Sequence, residues 1–208
     1  PIRAHDSLED TIATWRCGQL LAKKAPEVFK ASLLLRNKAS VGPKLKSSPI
    51  VCWMEAFKVA KIYTGTSLGE GIYPGWFLLY DLRKDPEEIL NILKDTNALR
   101  KAMDSSPKFL RVCKSTRAPL LMDKKYALLD KTYKALGMKE LERRQKIIEK
   151  NKEEILSRIK AIQQEKLDEK KEHDQRKLEP EQMIYSLNTR VDERKIMDAF
   201  NLADTIQE

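Results

Sequence analysis

The chain has 208 residues, 41% apolar and 34% charged, with a formal net charge of +9. The apolar share supports a core, and no stretch approaches the ~18 consecutive apolar residues of an ordinary membrane-spanning helix. The three cysteines, Cys17, Cys52 and Cys113, are odd in number and lack metal-ligand spacing, which speaks against a disulfide framework and for a reducing compartment.

Prolines and capping residues set the expected elements. Ser7 with Asp10 opens a first helix, with Leu8, Ile12 and Trp15 along one side. Pro26 starts a second, APEVFKASLLLRN, and the basic stretch NKASVGPKLKSSP follows as a turn-rich connection. Ser48-Pro49 then predicts a helix over IVCWMEAFKVAKIY, with a strand at IVCW as the alternative.

The stretch TGTSLGEGIYPGW holds four of the chain's seven glycines. It lacks the Lys-Ser/Thr of a phosphate-binding P-loop and the spacing of a dinucleotide turn, and Glu70 stands where a phosphate would approach. Tight turns that bring Trp76 against the domain are the expected role. IYPGWFLLYDL is expected to contain a short strand or a buried turn.

Asp85-Pro86 with Glu88 forms a capping-box-like helix start, and Ser106-Pro107 fits the same pattern. APLLMDKKYALLDKTYKALGM carries Leu121, Tyr126, Leu129, Tyr133 and Leu136 at helical spacing, with Gly137 as its C-cap. Leu141, Ile148, Ile155 and Ile162 then recur every seven residues in a run without proline or glycine, and Ile159 joins the stripe. This predicts one long amphipathic helix docked on a protein partner. Pro180 opens a further helix, and Val191, Ile196, Met197, Phe200 and Ile206 mark a final amphipathic one.

The expected fold class is therefore mainly α. A compact multi-helix basic body (1–137) precedes a long charged bridging arm (138–178) and a C-terminal helical docking segment (179–208). Leu141, Ile148, Ile155, Ile159, Ile162, Ile196 and Phe200 are the candidate protein-binding residues.

Charge is concentrated early. Residues 1–137 carry 24 Lys/Arg against 14 Asp/Glu, and residues 138–208 carry 16 against 17. Two basic stretches supply the candidate polyanion-binding residues. Lys23, Lys24, Lys30, Arg36, Lys38, Lys44 and Lys46 come from the first, and Arg111, Lys114, Arg117, Lys124 and Lys125 from the second. If both meet on one face, phosphate contacts without base reading follow. His5 and His173 form no metal cluster, and Cys52 at a helix start is expected as a buried, inert thiol. No catalytic residue, metal site or cofactor is expected.

These features predict a noncatalytic structural subunit bridging a larger assembly, such as an organellar ribosome or respiratory complex. The alternatives are an RNA-binding protein gripping the phosphate backbone, and an enzyme whose site assembles from distant residues. Expected partners are other protein subunits, then RNA or an acidic protein surface, with an anionic membrane surface ranked lower. The expected location is intracellular, in a mitochondrion, another organelle or the cytoplasm.

Overall fold

The computed structural model describes residues 7–56, 60–174 and 194–195. The expected helices after Pro180, with Ile196 and Phe200, and the N-terminal His5 lie outside the described residues. The chain divides into two units, Pro1–Lys166 and Leu167–Glu208.

The first unit is mixed α/β, built on a five-stranded antiparallel sheet, and this corrects the expected helical bundle. Two helices lead in, α1 (Ser7–Lys24) and α2 (Pro26–Leu34), as the capping residues predict. A 3-10 turn (Lys38–Ser40) and α3 (Val41–Ser47) follow. The segment expected as a helix after Pro49 is instead a pair of strands, β1 (Val51–Ala56) and β2 (Ala60–Glu70). The third strand, β3 (Trp76–Asp81), leads to α4 (Pro86–Ile92) and α5 (Thr96–Asp104). Next come β4 (Leu110–Lys114), a 3-10 turn (Ser115–Arg117) and β5 (Leu121–Asp123). The strand order is β4-β3-β2-β1-β5.

Ser106-Pro107 precedes β4 rather than a helix. The helix expected from residue 118 breaks into β5, a 3-10 turn (Lys124–Leu129) and only then α6 (Lys131–Lys150). Two carboxylates cause the breaks: Asp123 accepts from the Lys125 N–H at 3.0 Å and Asp130 from the Thr132 N–H at 2.9 Å, each capping a new turn. The Asp85 cap holds as expected, accepting from the Glu87 N–H at 3.0 Å with Pro86 in the first turn.

The glycine-rich stretch is the β2–β3 hairpin. Gly69 sits at a register shift and Gly75 in the turn, both at positive φ, and the Gly75 N–H is held by the Glu70 carboxylate. At Gly65 a Cβ would collide with the Tyr80 carbonyl oxygen and stand 3.0 Å from the Trp53 ring.

The long arm is two helices, not one: α6 ends at Asn151 (φ −110, ψ 12) and α7 (Lys152–Asp174) begins beyond it. Their apolar stripe faces the chain's own sheet. Leu141, Ile148, Ile155 and Ile159 are fully buried and Ile162 is 1% exposed, packed in one cluster with Leu68, Leu78, Tyr80 and Leu82. Each such burial contributes roughly 1.5–3 kcal/mol, so the stripe is a main support of this fold and is not free to bridge to a partner. Arg144 fastens α6 to the end of β3, donating to the Leu82 and Arg83 carbonyls at 3.0 and 2.8 Å.

Candidate nucleic-acid interface

The sheet has two differently covered faces. Cys52, Leu78, Tyr80 and Leu110 point to α4–α7, whereas Trp53, Tyr63, Leu79, Cys113 and Leu121 point to the other side. That second side is closed by Leu35 at the end of α2 and by Val41 and Leu45 of α3. The basic residues of the first stretch ride on this covering layer.

Lys23 and Lys24 end α1, Lys30 lies on α2, Arg36 follows it, Lys38 opens the first 3-10 turn, and Lys44 and Lys46 lie on α3. Arg111 and Lys114 are on β4, Arg117 is on the second 3-10 turn, and Lys124 and Lys125 open the third. The fold brings the two basic stretches together. The Lys38–Ser40 turn packs against the Ser115–Arg117 turn, and α2 packs against β5. Lys30, Lys44 and Lys125 meet around a cleft of about 480 Å3 whose apolar lining includes Leu34, Leu35, Leu121 and Met122.

Not every candidate cation is available. Arg111 turns inward, donating to Glu55 at 3.0 Å and to the fully buried Asp81 at 3.3 Å. Lys124 is paired with Glu142 at 2.7 Å and Lys125 with Glu27. The Glu27 carboxyl is held below the usual carboxylate range, first by the Lys125 ammonium and then by the Tyr126 hydroxyl. Lys114 lies over Trp76, 3.4 Å from the ring centroid, with Tyr73 on the same indole at 4.8 Å. Lys30, Arg36, Lys38, Lys44 and Arg117 are exposed and form no ion pair with a described residue. They leave an open cationic face flanked by the Tyr73–Trp76 pair, a combination suited to an extended strand of phosphates and bases.

One cluster lies outside the expectations drawn from the sequence. Asp81, fully buried, accepts from the Tyr133 hydroxyl at 2.6 Å and from Arg83 and Arg111. Both guanidiniums also lie over the Tyr63 ring, at 4.8 and 3.5 Å from its centroid. Burial and the Asp81 carboxylate push the Tyr133 phenol up, so it stays protonated and donates. An alternating pattern over Trp53, Glu55, Lys61 and Tyr63 was the available clue to this face, since these residues share it across β1 and β2.

Nucleophilic chemistry has no support at the two buried cysteines, Cys52 and Cys113. Burial raises the Cys52 thiol and pushes Cys113 up to about 11, so both remain protonated at neutral pH. Among the described residues no three histidine, cysteine or carboxylate groups converge to hold a metal ion. No described helix is long and apolar enough to cross a membrane.

No protein-family model and no curated protein matches the sequence. Solved structures of exonuclease I do share its fold. The Escherichia coli (E. coli) enzyme in complex with a dA16 oligonucleotide is 16% identical with a TM-score of 0.57, over 99% of this chain and 47% of that one. Exonuclease I from Methylocaldum szegediense is 16% identical at 0.58, over 99% of this chain and 46% of that one. The exonuclease I complex with SSB-Ct is 14% identical at 0.58, with the same two shares. The chain thus spans less than half the length of the exonuclease I chains it matches. At these identities the likeness is one of fold. It overturns the expected noncatalytic bridging subunit of a ribosome or respiratory complex, because the architecture is one found in a nuclease.

Proposed function

We propose that the chain is the strand-holding part of an exonuclease I-like enzyme that acts on single-stranded DNA. The observation that carries this reading is the fold shared with exonuclease I over 99% of the chain. Two exonuclease I structures that share the fold are complexes with oligonucleotides, a 5cy-dT13 and a dA16. The open cationic face built from Lys30, Arg36, Lys38, Lys44 and Arg117 supports it independently. In this role the exposed ammonium and guanidinium groups grip phosphates without reading sequence, and the described residues position the strand for cleavage by the whole enzyme.

Fluorescence anisotropy with a labelled oligo-dT tests the grip. Affinity should fall with salt at a log–log slope of about −2 for three phosphate contacts, and reversing Lys38 and Arg117 to Glu should flatten that slope. In parallel, the native protein should shorten an end-labelled single strand faster than a duplex. Binding to RNA but not DNA, or no loss of single strand, would overturn the assignment.

A protein partner has separate support in the apolar cleft ringed by Lys30, Lys44 and Lys125, and in the similar structure that carries SSB-Ct. The cleft suits a peptide with an apolar side chain and a carboxylate. An SSB-Ct peptide is expected to bind the wild-type chain, and the uncharged change Leu34→Ser should weaken that binding roughly tenfold while leaving oligo-dT affinity within about twofold. Equal loss of both would assign the cleft to the DNA strand.

A further inference from the structure

A second cavity, of about 180 Å3, lies beside α3 where β2 runs past the end of β1. It arises from unequal strand lengths. β1 begins at Val51 opposite Gly65, so β2 from Thr66 to Glu70 has no β1 neighbour. The end of α3 and the Ser48–Pro49 turn close one side, contributing Leu45, Lys46 and Ser48. The junction of α6 and α7 closes the other with Gln145, Glu149 and Lys152.

The polar groups facing this space are mostly donors. Thr66 is 2% exposed, lines the cavity, and its hydroxyl hydrogen-bonds no described residue. The Thr66 hydroxyl is not sealed into the core, so it can present its proton to an occupant of the cavity. The Ser67 oxygen accepts from the Gly69 N–H at 3.2 Å, which leaves its own proton free to donate. The Lys46 ammonium forms no ion pair with a described residue, and Lys152 is 3.4 Å from Glu149. Two ammoniums therefore outweigh one carboxylate, and the surplus positive charge distinguishes an anion from water as the occupant.

We propose that this cavity is a phosphate subsite that holds one backbone phosphodiester of the single strand, a step that rests on the function proposed above. A phosphodiester carries one negative charge and only acceptor oxygens, which matches hydroxyl and ammonium donors converging on a small space. Lys46 and Lys152 supply charge, and Thr66 supplies a directed hydrogen bond from the rigid sheet.

The test uses the full chain with oligo-dT and, separately, inorganic phosphate. Lys46→Met and Lys152→Met are each expected to weaken oligo-dT binding roughly tenfold, the scale of one charge-assisted hydrogen bond. Each should also flatten the salt slope by about 0.7, as loss of one single-strand phosphate contact requires. Thr66→Val should weaken binding without changing the slope, and Thr66→Ser should restore it. If both lysine variants leave affinity and slope at wild-type values, the subsite is wrong while the wider function stands. If the wild type binds no oligo-dT, the wider function fails, and phosphate titration decides the cavity alone. Amide shifts at Thr66 and Ser67 with inorganic phosphate then support an anion site for free phosphate, and their absence overturns it.

Discussion

Replacing Ile155 with alanine is expected to destabilise the isolated chain by about 2–5 kcal/mol, read as a lower urea midpoint. Ile155 is fully buried in the cluster formed with Leu68, Leu78, Tyr80 and Leu82. Removing its outer carbons both forfeits burial and leaves a void that a sheet and two helices cannot easily collapse. Arg158→Ala, three residues on and exposed, should change stability by no more than about 0.5 kcal/mol. The contrast matters because a stripe reserved for another protein would show the opposite pattern. The isolated chain would then tolerate Ile155→Ala, and only its complex would weaken.

Asp81→Ala is expected to cost about 3–5 kcal/mol, the scale for breaking a buried, hydrogen-bonded ion pair. The loss strands the Tyr133 hydroxyl, which donates to Asp81 at 2.6 Å in the core, and removes the shared acceptor of Arg83 and Arg111. Asp81→Asn keeps an acceptor but not the charge, so its midpoint should fall between wild type and alanine. A wild-type midpoint for Asp81→Ala would mean that the two guanidiniums, 22% and 15% exposed, are held by solvent and by Tyr63 rather than by the carboxylate.

The sequence was most legible where a single residue dictates a local geometry. Asp85-Pro86 and Pro26 start helices, and the seven-residue row from Leu141 to Ile162 is dry. It was least legible where burial erases periodicity. Val51, Cys52 and Trp53 are all buried because β1 lies between β2 and β5 and is covered on both faces. Such a strand loses the apolar–polar alternation that separates strand from helix. The error after residue 118 has a different origin: Tyr126, Leu129 and Tyr133 keep helical spacing across the Asp130 cap, and spacing alone does not register a cap in mid-run. For the interface, the meeting of the two basic stretches was foreseen as a condition. The internal pairing of Arg111, Lys124 and Lys125 was not, because their partners Glu55, Glu142 and Glu27 are distant in the chain.

Gly137 adopts φ 77 and ψ 159 in the middle of α6, in a region that side-chain-bearing L-residues avoid, yet nothing stands within 4 Å of a Cβ placed there. What the position selects is handedness, since bulk would meet no obstacle. The turn carrying Tyr133 toward Asp81 and the helix carrying Leu141 onward are consequently joined by a chiral hinge pin. A mirror-image alanine would occupy it with less loss of chain freedom than glycine, setting the heading of everything downstream without touching a single packed atom.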